Sequence, residues 1–533
     1  MLIKTSSKYL VLGGGLLLAS CNVNDLQPQT ALSETTAFQT PERIELAVAG
    51  VYDGGQSGFY NGSYTANRGY SFGAAHLQQG DMRGEDMVSV QAFYAITYQQ
   101  TYDPTTANNV NFWQNCYALI NRANVVLAGL QTATPTATFT QAQIDAYMGE
   151  CRFLRAMAHH YLLVYFARPY SDNPTTNLGV PYRTTPVTGG QSVEDAIKVG
   201  RNTVADCYAK ILEDLNYAEE KLPATRTVGR LTRATKGAAI ALKTRVRLHQ
   251  GNWAEVITEG NKLVPTAAPF TSPIGSYALT ATPLGAFGAG NKNNTESIFS
   301  VENNDVDNAG VNGAPGSMYS AASVSGRGII AISPILWNQP FFPAGDLRKA
   351  STAIASDPAS AAGRGGNFTR KYPDVTTRSD NAPIVRYAEV LLNLAEANAR
   401  TNNTARALAL LNAVRNRSVT TAADQYTAAT FATANDLTAA VINERRPEFL
   451  AEGMRWLDIH RLAQDASFRQ ATGIPAKASN GISNFAPLYT NNAATTFQLQ
   501  AAVPYSDYRF LWPIPAEELV NNPTLAKQQN PGY

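Results

Sequence analysis

Apolar residues recur at intervals of three and four along most of this chain, the spacing that lines one face of an α-helix. "NFWQNCYALINRANVVLAGL" sets Phe112, Cys116, Leu119, Ile120 and Val126 on one stripe. "QAQIDAYMGECRFLRAMAHHYLLVYFARPY" predicts a long apolar helix that stops near Pro169. "VADCYAKILEDLNYAEEKLP" predicts an amphipathic helix ended by Pro223. "TRATKGAAIALKTRVRLHQGNWAEVITEGNKLV" reads as helix–turn–helix, with Gly251-Asn252 at the turn. "IVRYAEVLLNLAEANARTNNTARALALLNAVRNRS" repeats that plan, turning at Thr401-Asn402-Asn403. Short polar turns between periodic segments predict antiparallel helix pairs.

The last two pairs, 232–264 and 384–418, each run to about 34 residues, a length that resembles the tetratricopeptide plan. Small residues (Ala238, Ala239, Ala395, Ala397, Ala399) stand where their helices would cross closely. Three stretches lack the period: 54–108, 265–383 and 470–508. The longest is rich in Gly, Asn, Ser and Pro and predicts only a brief strand at Ser297–Val301. An irregular stretch of that length inside a compact protein is usually functional.

The final predicted helix, "NERRPEFLAEGMRWLDIHRL", carries chemistry-bearing residues. Glu444, Glu448 and Glu452 follow one another at four-residue steps, about 6 Å apart on one helical face. That separation is near that of a retaining glycosidase pair. Arg445, Arg446 and Arg455 offer compensation, and Asp458 stands three residues from both Arg455 and Arg461. Ion-paired carboxylates have lowered pKa values, the wrong direction for a general acid, so structural ion pairing is expected here. Pro447 predicts a kink or a fresh helix start.

Composition narrows the function. Of 533 residues only 16% are charged and the net charge is +2, so nothing suggests nucleic acid. Tyrosine is abundant at 25, with 5 tryptophans; Tyr and Asn supply groups that stack on sugar rings and hydrogen-bond hydroxyls. "MLIKTSSKYLVLGGGLLLASC" has Lys4 and Lys8, then an apolar run Tyr9–Leu18. About ten apolar residues suit a signal peptide and cannot span a bilayer. Leu18-Ala19-Ser20-Cys21 resembles a bacterial lipobox, which predicts cleavage before Cys21 and its acylation; two or three acyl chains anchor stably. The remaining Cys116, Cys151 and Cys207 are odd in number and lie in apolar helical patterns, so buried thiols are expected.

Three motifs suggest other chemistry. Gly69-Tyr70-Ser71-Phe72-Gly73 matches G-x-S-x-G, but the preceding "YNGSYTANR" is too polar for the strand of a nucleophile elbow. "ENNDVDNAG" spaces Asn303, Asp305 and Asp307 like a calcium loop, yet its glycine comes late and the twelfth position is Ala314; a solvated turn is expected. His159 and His160 face different sides of a helix and no H-E-x-x-H occurs, so zinc is not indicated.

Five motifs in order resemble the SusD/RagB family of outer-membrane nutrient-uptake lipoproteins. They are "CNVNDLQPQTALSETTAFQTPERIELAVAGVYDG", "GRLTRATKGAAIALKTRVRLHQGNWAEVI", "PIVRYAEVLLNLAEANA" with "ALALLNAVRNRS", "NERRPEFLAEGMRWLDIHRL" and "LWPIPAEELVNNPTLAKQQNPGY". The resemblance implies a mainly α fold of four tetratricopeptide-like helix pairs, with long irregular loops forming a ligand-binding face. The expected division is a signal peptide at 1–20, a lipidated tether and N-terminal segment at 21–40, a helical part at 41–264, a loop-rich insertion at 265–383 and a C-terminal part at 384–533. It implies a cell-surface lipoprotein that binds glycans, or peptides in the RagB branch, and delivers them to a SusC-type TonB-dependent transporter, with no catalysis and no cofactor. An exported glycan hydrolase and a purely protein-binding scaffold are the competing readings.

In such a protein the two loop regions would contact ligand. The first offers Asp81, Arg83, Tyr94, Tyr98 and Tyr102; the second offers Asn303, Asn304, Tyr319, Trp337 and Phe341. Trp113, Trp456 and Trp512 are expected to be structural.

Overall fold

The structure, a computed structural model, describes residues 37–58, 68–359, 363–468 and 473–533. Cys21 and the leader expected before it lie outside the described residues.

Helices α1 (Pro41–Gln56), α3 (Ala107–Thr132), α4 (Gln141–Phe166), α5 (Val204–Lys221), α6 (Lys236–His249) and α7 (Trp253–Leu263) build the first half, with α2 (Ala74–Arg83) between α1 and α3. The second half holds α8 (Tyr387–Arg400), α9 (Thr404–Arg415), α10 (Ala434–Glu448) and α11 (Met454–Leu462). Local chemistry sets their starts. The hydroxyls of Thr40, Thr203 and Thr235 and the amide of Asn252 accept N–H bonds that the first turn leaves open. Thr140 with Gln143 and Thr433 with Asp436 form reciprocal capping boxes. The turns fall where expected, with Gly251 and Asn402 in the left-handed region.

From α3 to α10 each helix packs against the next in sequence. This one-dimensional stacking buries a continuous core that runs from Ile44 to Ile514. Trp113, Trp456 and Trp512 are all inside it.

The interruption expected at Pro447 is present, and one expectation needs correction. The stretch 443–462 is not one helix. Pro447 removes a donor in the last turn of α10, the chain leaves the helix after Glu448, and Ala451 and Gly453 adopt left-handed φ values of 62° and 71° before α11 begins. The stretches without helical period are more ordered than their composition suggests. All ten residues of α2 are buried, and β1 (Met87–Ser89) follows it. Residues 265–383 hold the expected β2 (Ser297–Val301), together with β3 (Ile330–Ile332), β4 (Ile354–Asp357) and β5 (Gly366–Thr369), and β6 (Ala382–Arg386) begins at their end. Antiparallel pairs join β1 to β3, β2 to β6 and β4 to β5. β1, β2, β3, β5 and β6 are buried along their whole length, so they show no alternation in the sequence, and the partners of β1, β2, β3 and β6 are distant.

Candidate functional site

The residues expected to contact ligand lie inside the protein, and that expectation is corrected. Asp81, Arg83, Tyr94, Tyr98, Tyr102, Asn303, Tyr319 and Trp337 are all buried, none more than 7% exposed. Most of their polar groups have internal partners, while Arg83 Nε and Trp337 Nε1 have none among the described residues. Tyr319 donates to Asp81 Oδ2 at 2.6 Å, and Asp81 Oδ1 accepts the Gly453 N–H at 3.0 Å. Arg83 donates to the Tyr102 hydroxyl at 2.9 Å and to the Phe510 carbonyl at 2.6 Å, with its guanidinium 3.8 Å over the Trp456 ring. Tyr94 bonds Gln78, and Tyr98 donates to the Ala478 carbonyl at 2.6 Å. Asn303 donates to the Asp380 carbonyl at 2.9 Å. The Trp337 ring meets Phe342 and Tyr489 edge-on. A ring with no free face cannot stack on a sugar, so these side chains hold the loops together. Phe341, half-buried, lies beneath the Arg446 guanidinium.

The acidic cluster is a buried ion network whose partners differ from those expected. Glu444 pairs with Arg348 at 2.8 Å and Arg415 at 2.7 Å. Glu448 pairs with Arg386 at 3.0 Å, Arg348 at 3.3 Å and Arg417. Glu452 meets Lys371 at 2.6 Å and Arg386 at 2.7 Å. Arg445 turns instead to Asp458 at 2.8 Å, Arg446 to Asp86, and Arg455 to Glu85 at 2.6 Å. Arg461 also bonds Asp458, at 2.8 Å. Arg445 and Arg446, adjacent on α10, face different sides of that helix, and Arg455 lies beyond the break on α11. Burial alone would raise the Glu448 carboxyl, but the charges of Arg417, Arg386 and Arg348 hold it well below the usual range. Asp81 moves the other way. Burial pushes it up to about 8 against the bonds from Tyr319 and Gly453, yet it too is closed off from solvent.

Ser71 is buried, and its hydroxyl has no partner among the described residues. The 303–307 segment is a turn in which Asn304 Oδ1 accepts the N–H groups of Val306 and Asp307 at 2.9 and 2.7 Å.

An open cleft of about 1010 Å³ lies between α1, the turn 226–233 and the segment leading from Lys292 through β2 to Asp307. Its size is at the upper end of ordinary ligand sites. One wall is the face of α1 that carries Glu45, Ala49, Tyr52, Asp53 and Gln56, set at helical spacing. Phe72, Leu154 and Phe299 form the floor. Tyr52 is half-buried. Its hydroxyl donates to Glu150 at 2.6 Å and accepts from the Ala234 N–H at 2.9 Å. Gln56 fastens the far wall by donating to the carbonyls of Glu302 and Asp307 at 3.0 and 3.2 Å. Asn293, Asn304 and Asn381 add amides. Val228 and Val306, 86% and 90% exposed, stand on the turn and the loop that bound the opening.

Of the residues named from the sequence for ligand contact, only Asn304 lines this cleft. The periodic polar face of α1 was the available signal for the rest. The opposite wall is assembled from loops distant in sequence and had none.

The family model described as "Starch-binding associating with outer membrane" matches residues 27–248, and that of the SusD family matches residues 350–533. A curated relative, SusD-like protein P2 of Formosa agariphila, is 23% identical over 99% of this chain and its own full length. A SusD superfamily protein of Bacteroides fragilis superposes with a TM-score of 0.73 at 27% identity, covering 92% of this chain and 99% of that one. A SusD-like carbohydrate binding protein of Bacteroides vulgatus gives 0.69 at 21% identity, over 91% and 97% of the two chains. The chain belongs to the SusD/RagB family.

Proposed function

We propose that this protein is an outer-membrane surface lipoprotein, anchored through Cys21, that binds a glycan and passes it unaltered to a SusC-type TonB-dependent transporter. The observation that carries the binding step is the open cleft. It is wide enough for several sugar residues and is lined by amides and carboxylates rather than by an enclosed apolar pocket. Hydroxyl-rich ligands exchange bonds to water for similar bonds to protein, so single-site affinity is modest. A repeating polymer raises it by avidity. The carboxylates that most resemble a hydrolytic pair, Glu444, Glu448 and Glu452, are buried among arginines and lysine and have no path to a glycosidic bond. The names of the Formosa and Bacteroides relatives support the same reading.

The test is a glycan array with the purified chain, followed by recovery of the bound ligand. Intact ligand is expected. Asn293→Ala combined with Asp53→Ala should abolish binding at an unchanged melting temperature. Shortened ligand would identify a hydrolase, and binding to peptides alone would move the protein to the peptide-capturing branch. Co-purification from membranes with a TonB-dependent transporter tests delivery, and release of a Cys21→Ala form from the cell tests the anchor.

A further inference from the structure

The cleft carries charge of both signs, but its cations and anions are not equally available. Arg226 lies 2.8 Å from Glu150, and Arg233 pairs with both Glu150 and Glu45. Arg230 bonds the Asn294 carbonyl, and Lys292 donates to the Asn303 carbonyl at 2.5 Å. Each of the four basic residues of the lining is therefore turned toward the protein. Glu45 is taken by Arg233 and Tyr147.

The other three carboxylates are left to solvent. Glu302 is exposed and accepts only the Thr232 hydroxyl, at 3.2 Å. Asp307 is exposed, and its carboxylate has no hydrogen bond or ion pair among the described residues. The nearest cation to Asp53 is Arg122, at 3.8 Å, with both side chains substantially exposed. Burial raises the Asp53 carboxyl, Arg122 opposes this, and the charge of Asp307 across the cleft adds to it.

The neutral groups complete the pattern. Asn304 and Asn381 commit their oxygens to backbone N–H groups. Their Nδ2 atoms, like the Asn293 side chain, have no partner among the described residues. The lining thus offers free amide donors beside free carboxylate acceptors. A hydroxyl can both donate and accept, so neighbouring hydroxyls of a sugar can donate to a carboxylate while accepting from an amide. A uronate or sulfate oxygen only accepts. It can use the amides alone, and at Asp53, Glu302 and Asp307 it meets three exposed carboxylates. Of these only Asp53 has a cation within 4 Å among the described residues, the Arg122 guanidinium. The charges of Arg230 and Lys292, bonded to carbonyls, also line the cleft.

We propose that the cleft takes an uncharged, hydroxyl-rich glycan and excludes glycans bearing uronate or sulfate where they would reach Asp53, Glu302 and Asp307. The proposal rests on the glycan-binding reading of the cleft.

It is tested by calorimetry of the full mature chain against three polymer sets: neutral hexose or pentose polymers, a polyuronate, and a sulfated polysaccharide. Each is measured at low and high salt, with wild type, a D53N/E302Q/D307N variant and an N293A/N304A variant. Wild type is expected to bind a neutral polymer at least tenfold more tightly than either polyanion. The carboxamide variant should weaken neutral binding at least tenfold and narrow the gap to the polyanions, with an unchanged melting temperature. If wild type binds a polyanion as tightly as any neutral polymer, and N293A/N304A removes that binding, the charge assignment is overturned while the cleft remains a glycan site. If neither variant changes the binding of any polymer, the cleft is not the glycan site and both readings fall.

Discussion

Asp81 accepts the backbone N–H of Gly453 across 372 residues of sequence, and one turn of α2 presses directly on the break between α10 and α11. A Cβ on Gly80 would lie 2.3 Å from the Gly453 carbonyl oxygen, and one on Gly453 would lie 2.8 Å from the Leu77 carbonyl oxygen. Gly453 also needs its left-handed φ of 71°, which an L side chain adopts only with strain. Gly80→Ala and Gly453→Ala are each expected to lower stability by about 2–4 kcal/mol. Denaturant unfolding measures this, and a loss below about 1 kcal/mol would mean that the two backbones are not in contact.

Glu448 sits among Arg348, Arg386 and Arg417. Glu448→Gln removes one charge from a buried network and leaves guanidinium groups uncompensated. A loss of about 3–5 kcal/mol is expected, read as a lower denaturation midpoint. Ligand turnover that vanished in a fully folded Glu448→Gln protein would assign the residue to catalysis.

Tyr98→Phe should act on stability and not on binding. It leaves the Ala478 carbonyl without its donor, a cost of about 1–3 kcal/mol for a buried acceptor. Glycan affinity should stay within twofold of wild type, since the ring has no exposed face. A tenfold affinity loss at unchanged stability would return Tyr98 to the ligand site.

Acid should unfold the protein early. The five histidines of the sequence are all buried, and burial pulls His76, His159 and His160 down to about 3, His460 to about 4, and His249 well below its ordinary value. Below about pH 6.5 the unfolded chain takes up protons that the folded one refuses. Each histidine then lowers stability by about 1.4 kcal/mol per pH unit until its folded pKa is reached. Paired carboxylates add to the loss lower down. Burial would raise Glu85, but Arg455 and Arg446 bring it to about 2, so its contribution is complete above its unfolded value and disappears as pH falls from about 4.5 toward 2. The melting temperature should hold near neutrality and begin to fall near pH 6. A fall that started only below pH 4.5 would show that the histidines are protonated in the fold.

Cys116, Cys151 and Cys207 are buried and unpaired. Burial pushes the Cys207 thiol up to about 11 and the other two higher. A thiol reagent at pH 8 should leave the native protein unmodified and label these three positions only after denaturation.

The helical frame was legible because helices bury one face. Periodicity, the prolines after α4 and α5 and the short polar turns all report on local structure. Burial of the intervening segments was not legible. "AAHLQQGDMR" is polar by composition, yet it forms α2 with every residue inside, where residues beyond the helix reach some of its polar groups, Tyr94 donating to Gln78 and Thr97 to Gln79. The tyrosines that look like a sugar platform were misread for the same reason. Tyr and Asn suit a wet binding face and a polar interior equally well, and only tertiary contacts separate the two. The surface beside Tyr94 is instead formed by Phe93, half-buried between the guanidinium groups of Arg68 and Arg327.

The pairing of Asp86 with Arg446 and of Glu85 with Arg455 spans 360 and 370 residues. During synthesis the two acids emerge long before the arginines that neutralise them. The N-terminal third therefore has no low-energy burial for α2 until the last hundred residues have been made. A prematurely terminated chain would hold two uncompensated anions where its interior should close, leaving that segment open to proteases.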